Sequence, residues 1–198
     1  MLIALEGVDA SGKSTQIALL KQEFPNALFT KEPGGTPLGQ ALREVLLHQA
    51  LLPQTQFLLF LADRALHVQQ VLQPNAHKLI FSDRSLISGL AYAPYSLEHA
   101  LELHRQHGLL EIVPDMVFLL RLDLASLKQR LQAKRQGLDQ IESLGVEFLE
   151  RTQDRLERAC QILGLKTHVL DGAQSPQHIF SQIAKLTSGD MHIQRQTP

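Results

Sequence analysis

Gly7-Val8-Asp9-Ala10-Ser11-Gly12-Lys13-Ser14-Thr15 constrains this chain more than any other stretch. The spacing G-x-x-x-x-G-K-S is that of a phosphate-binding loop, and such a loop joins a buried strand to a helix. Both flanks comply. Leu2-Ile3-Ala4-Leu5, closed by Glu6, is a short apolar run that reads as a buried parallel strand. Ile17, Leu20 and Phe24 then recur at helical spacing. Glycine lets the backbone curl close to a phosphate, and successive N–H groups with the helix N-terminus face the anion. Lys13 supplies a point charge for the outer phosphates, and the Ser14 hydroxyl suits Mg²⁺. Residues 7–15 together are the expected nucleotide-binding segment.

A chain of 198 residues implies one domain, or one domain with a small insert. Nineteen basic and twenty acidic residues leave a net charge of −1, which carries no electrostatic footprint for a nucleic-acid duplex. The lone Cys160 excludes an internal disulfide; with Leu156, Ala159 and Leu163 it falls on a helical apolar stripe and reads as packing. No charged leader with a cleavage site and no run of ~18 apolar residues is present. A cytoplasmic protein with neither membrane nor nucleic-acid partners is the expectation. The nine histidines form no H-x-x-x-H or Cys/His cluster, and His99, His104 and His107 read as solvated.

Strand candidates at 27–30, 78–83, 116–122 and 166–170 follow the first. Amphipathic helices read over 38–46, 57–72, 146–163 and 176–186 alternate with them. That alternation predicts a parallel sheet covered on both faces, with ligands beyond the carboxyl ends of the strands. Residues 130–143 are polar and charged around Gly137, and read either as a solvated helix end or as a lid closing over phosphates.

A nucleotide switch that reads guanine commonly carries Asn-Lys-x-Asp. The two asparagines, Asn26 and Asn75, do not precede lysine. A nucleic-acid motor needs more chain. A small-molecule kinase remains. The acceptor side sharpens this. Glu32-Pro33-Gly34-Gly35-Thr36 follows the second strand, Ala62-Asp63-Arg64 lies on a helix, and Asp83-Arg84-Ser85 follows the third strand, with Ser88 and Ala91-Tyr92 beyond. With Glu6-Gly7-Val8-Asp9, these resemble the thymidylate kinase family from residue 1 to about residue 160.

The resemblance implies a three-layer α/β P-loop NTPase fold, with a five-stranded parallel sheet, helices on both faces and a short lid. Residues 1–187 would be a single nucleoside monophosphate kinase domain, followed by a polar tail at 188–198. The reaction would move the γ-phosphoryl of ATP to dTMP with Mg²⁺, in a homodimer formed through the helices bearing Leu42–Leu46 and Phe57–Leu72. Other acceptors (dUMP, UMP or CMP) and a regulatory ATPase are the alternatives.

By the same resemblance, Glu32 and Pro33 shape the monophosphate pocket with a cis bond before Pro33, and Arg43 reaches the dTMP phosphate. Phe60 is either core or a stacking plate for thymine; Arg64, one turn on, donates to a thymine carbonyl. Asp83 either caps a turn or helps hold Mg²⁺. Arg84 bridges donor and acceptor phosphates, with Ser88 nearby. Tyr92 is either a floor under the sugar or an ordinary half-buried tyrosine. Asp9 takes the 3′-hydroxyl and is not a general base, because the attacking phosphate oxygen is already ionised. Since 8–11 hold no basic residue, the transition-state cation is expected from the lid: Arg135, or Arg130, which could instead hold donor phosphates. Ser85 stands where the family often has Tyr or His, and Ala93-Pro94 where it often has Gln-Gly. Ala10 replaces a frequent glycine, which is tolerated if its φ is negative.

Overall fold

Five apolar runs pair into one sheet: β1 (Leu2–Glu6), β2 (Leu28–Lys31), β3 (Ile80–Asp83), β4 (Met116–Arg121) and β5 (Thr167–Asp171). Their order is β2-β3-β1-β4-β5 and every pairing is parallel. The structure, a computed structural model, describes residues 1–133 and 145–194. Parallel neighbours need crossovers, and helices supply them: α1 (Lys13–Glu23), α2 (Pro37–His48), α3 (Pro53–His67), α4 (Leu86–Ala91), α5 (Leu97–Gln106), α6 (Leu124–Ala133), α7 (Val146–Ile162) and α8 (Pro176–Gln194).

The pleat sorts the core into two layers. Met116, Phe118 and Leu120 of β4 point to the face where Leu20 of α1 and Ile179 and Ile183 of α8 pack. Val117 and Leu119 point to the other face, toward Phe57 and Leu61 of α3, Leu90 of α4 and Leu156 of α7. A strand buried on both faces must be apolar at nearly every position, which is why β1 and β4 read as continuous runs, while the edge strands β2 and β5 carry polar residues. Cys160 lies in the second layer, as its stripe implied.

Three local readings change. The helix expected over 57–72 is α-helical only to His67, then makes a π-helical turn over Val68–Leu72. That turn packs Val68 and Leu72 against Leu2 and Ile80. The last helix does not stop near Leu186 but runs to Gln194, with Lys166 and Asp190 ion-paired along it. His104, read as solvated, is 2% exposed. It continues the stripe of Leu97 and Ala100 on the inner side of α5.

β1 lies between β3 and β4, so the phosphate loop leaves the middle of the sheet. Leu5 is in register with Asp83, and the chain after β3 therefore emerges beside the loop.

Phe118 is fully buried at the centre of this sheet. Phe118→Ala should lower unfolding stability by about 3–5 kcal/mol, read by urea titration. A loss below about 1 kcal/mol would mean that Phe118 is not part of a close-packed core.

Candidate active site

The loop between β1 and α1 turns on residues with positive φ. Gly7 has φ +146°, and a Cβ there would stand 2.6 Å from the Leu120 carbonyl oxygen. Only glycine meets both conditions. Ala10, where alanine is tolerated if φ is negative, instead has φ +61°. It sits in the left-handed region, where a Cβ costs about 1–2 kcal/mol. Lys13 is buried, and its ammonium donates to the carbonyl oxygens of Gly7 and Val8, both at 2.9 Å. Burial, reinforced by Arg84, pulls its pKa down to about 8.

Arg84 follows β3, also at positive φ (+69°). Its Nη1 donates to the Gly7 carbonyl oxygen at 2.9 Å and to Ser88 Oγ at 3.2 Å. Its Nη2 donates to Asp9 Oδ1 at 2.8 Å. The guanidinium also lies over the Tyr92 ring, 5.4 Å from the centroid. Strained backbone at such a position persists because the surroundings over-determine it.

Beneath Arg84 lies Glu6, fully buried at the end of β1. Ser85 Oγ donates to its Oε1 at 2.8 Å, and Ser88 Oγ donates to its Oε2 at 2.6 Å. Burial pushes the carboxyl up to about 7, against the pull of Ser88 and Arg84. Ser85 also accepts the Ile87 N–H as the N-cap of α4, so it both starts that helix and binds the carboxyl group.

On the acceptor side the Glu32–Pro33 bond is cis, as expected. Glu32 turns inward. Its Oε1 accepts from Arg64 Nη1 at 2.5 Å and pairs with His67 Nδ1 at 2.6 Å, while His67 Nε2 lies 2.6 Å from Thr30 Oγ1. Burial opposes ionisation, but Arg64 and His67 outweigh it and hold the Glu32 carboxyl below its ordinary value. Asp63 accepts the Gly34 N–H at 3.0 Å and fixes the glycine turn. Arg43 Nη1 donates to the Pro33 carbonyl oxygen at 3.0 Å.

Two cavities meet here. The larger, of about 530 Å³, is lined by residues 9–16, Asp83, Arg130 and Gly172. The second is lined by Pro33, Phe60, Arg64, Ser88, Tyr92 and His104 among others. Asp9, Glu32, Arg43 and Arg84 line both. Arg64 spends Nη1 on Glu32 and Nη2 on the Ile112 carbonyl oxygen; its Nε is buried without a partner among the described residues. Asp83 Oδ1 is likewise buried and unpartnered. Ser14 lines the same cavity as Asp83, so a hydroxyl and a carboxylate oxygen suited to a hard divalent cation share one wall. Arg130 donates to the carbonyl oxygens of Ala10 at 2.7 Å and Gly172 at 2.6 Å, which fastens α6 to the loop. Arg135 and most of the expected lid lie outside the described residues.

Sequence reasoning missed three supports. His67 lies three residues after Arg64, on the same helix face, which was a readable signal. Glu6, an acid closing an apolar strand, was another, since a buried carboxyl group must find donors. Arg155 had none: from α7 it donates to the carbonyl oxygens of Leu90, Ala91, Ala93 and Tyr95.

A family model described as thymidylate kinase matches residues 5–183. The thymidylate kinase of Wolinella succinogenes is 49% identical over 187 residues, covering 92% of this chain and 96% of that protein. That of Sulfurimonas denitrificans is 43% identical over 188 residues, covering 92% and 97%. The crystal structure of thymidylate kinase from Ehrlichia chaffeensis has the same fold, with a TM-score of 0.74 at 24% identity, over 95% of this chain and 98% of that one.

The raised Glu6 pKa sets a sign for stability against pH. The folded state keeps the proton up to about pH 7, while the unfolded chain releases it near 4.5. Stabilisation from this group is therefore complete below 4.5 and is lost as pH rises through about 7, by ~3 kcal/mol at 1.36 kcal/mol per unit. Urea unfolding from pH 4.5 to 8 should show that slope in the wild type and lose it in Glu6→Gln. Parallel slopes would remove Glu6 as its source.

Proposed function

The chain belongs to the thymidylate kinase family, and from that premise we propose how its residues divide the work. It is an ATP-dependent kinase that transfers the γ-phosphoryl group to dTMP, giving dTDP and ADP. One observation carries the assignment of residues: the phosphate-loop cavity and the cavity behind Phe60 share a wall made of Asp9, Glu32, Arg43 and Arg84. ATP takes the first cavity and dTMP the second, and the phosphoryl group crosses between them.

Residues 7–15 hold the donor phosphates, with Lys13 as their fixed charge. Arg84 spans the crossing, and Arg43 neutralises the acceptor phosphate through a planar donor pair. Asp9, held by Arg84, orients the sugar rather than removing a proton. Phe60 stacks on the base, Arg64 donates to it, and Tyr92 closes the sugar side. Glu32 acts through Arg64 and His67, and Ser88 through Arg84 and Glu6. Ser14 and Asp83 would hold Mg²⁺, which when bound neutralises phosphate charge. The attacking oxygen is ionised at neutral pH, so the residues catalyse by position and charge. Arg130 steadies the donor side through the Ala10 and Gly172 carbonyls, and Arg135 supplies the cation that meets the transferred group.

A homodimer fits the apolar surface on α2 and at and near the start of α3, where Leu38, Leu52 and Leu58 are 56%, 72% and 63% exposed. A cytoplasmic location fits a chain in which no described helix is long and apolar enough to cross a membrane. The net charge of −1 gives no reason to expect nucleic acid as a partner.

An ADP-release assay with dTMP, dUMP, UMP and CMP should show the highest kcat/KM for dTMP. ADP release that ignores the acceptor would overturn the reading. Lys13→Ala should keep its fold and lose turnover; near-wild-type kcat would remove Lys13 from the site. Arg135→Ala should lower kcat by at least tenfold (about 1.4 kcal/mol) with ATP affinity little changed, while Arg130→Ala weakens ATP. If neither lowers kcat tenfold, the transition-state cation lies elsewhere.

A further inference from the structure

His104 is the one titratable side chain of the acceptor cavity with no role so far. It lines that cavity with Phe60, Arg64, Gly89 and Tyr92, and its ring packs edge-on against Phe57 at 5.9 Å. Its Nδ1 lies 2.8 Å from the Ala100 carbonyl oxygen, one turn back on α5. A carbonyl only accepts, so Nδ1 carries the proton and Nε2 of the neutral ring is a lone-pair acceptor. Burial favours the neutral ring by lowering its pKa; the Ala100 carbonyl and Glu32 pull the other way, and Arg64 and His107 push it lower. Among the described residues its one hydrogen bond is that of Nδ1.

Nε2 faces α4 at Gly89. A Cβ there would stand 3.3 Å from Nε2 and 3.8 Å from Cε1. Gly89 does not have a positive φ, so its backbone does not call for glycine, and inside a helix glycine costs ~1 kcal/mol relative to alanine. Its use is space: a longer side chain would come between His104 and the cavity.

The Watson–Crick edge of thymine offers O4, N3–H and O2, two acceptors around one donor, so the protein must supply an acceptor beside its donors. Arg64 is a donor. Glu32 Oε1 is taken by Arg64 and His67, Asp63 Oδ1 by Gly34, and Asp9 Oδ1 by Arg84. Ala93 contributes no polar side chain. His104 Nε2 remains. We propose that His104 accepts the N3–H of the acceptor's pyrimidine and so selects thymine and uracil over cytosine. Cytosine N3 is itself an acceptor, and two lone pairs would face each other. This rests on dTMP occupying the acceptor cavity.

The test compares His104→Gln with His104→Phe. Gln keeps an acceptor and loses ring packing; Phe keeps packing and loses the acceptor. Phe should raise the KM for dTMP about tenfold, leave the KM for ATP within twofold, and shrink the dTMP-over-dCMP ratio of kcat/KM at least tenfold. Gln should retain most of both. The reverse order, with Phe the milder change, would make His104 a packing residue and overturn the proposal. The wild-type enzyme supplies a measurement that needs no variant: calorimetry with 3-methyl-dTMP, which lacks the N3 proton, should show at least tenfold weaker binding than dTMP. Equal binding would overturn the proposal even if Phe fails to fold. If the wild type does not phosphorylate dTMP, the functional reading falls and this inference with it; if it does and Phe behaves as wild type, only the inference falls.

Discussion

The Arg84 guanidinium is the charge on which the site's geometry hangs. It ties the end of β3 to the phosphate loop through Gly7 and Asp9, and to α4 through Ser88. A charge taken out of water is tolerable only where paired and fully hydrogen-bonded, and here Asp9 pairs with it while Glu6 lies below. Two loops from different strands thus share one cation. Their relative placement is settled before any substrate arrives, which is what a reaction catalysed by positioning requires.

That arrangement follows from the strand order. With β1 flanked by β3 and β4, the phosphate loop and the Asp83-Arg84 segment leave the same edge as neighbours, since Leu5 is in register with Asp83. The second anchor is the Glu32 network. Its carboxylate collects Arg64 and His67 from α3, and Asp63 of that helix holds the Gly34 N–H. Each cavity wall is therefore built from a loop and a helix that are cross-linked to each other.

The features legible in the sequence were those written locally. All five strands stood out, the central ones most plainly, because a strand buried on both faces must be apolar nearly throughout, as in Met116–Arg121. The phosphate loop stood out because its glycines and lysine are spaced within nine residues. What escaped depends on partners distant in sequence. His104 sits in a polar stretch, and only its packing against Phe57 reveals that it faces inward. The positive φ of Ala10 is imposed by the loop, against the preference of its side chain. The last turns of α8 make polar contacts such as Asp190 with Lys166, which no hydrophobic period announces.

Arg155 explains how one departure from the family pattern can be harmless. Four carbonyl oxygens, from Leu90 and Ala91 at the end of α4 and from Ala93 and Tyr95 in the turn after it, converge on a single guanidinium of α7. Main-chain oxygens are present whatever side chains the turn carries. The shape of the wall behind Tyr92 is therefore stored more than sixty positions downstream, and Ala93-Pro94 can differ from the usual pair without unbending it. Drift within the turn is buffered, while drift at Arg155 is not.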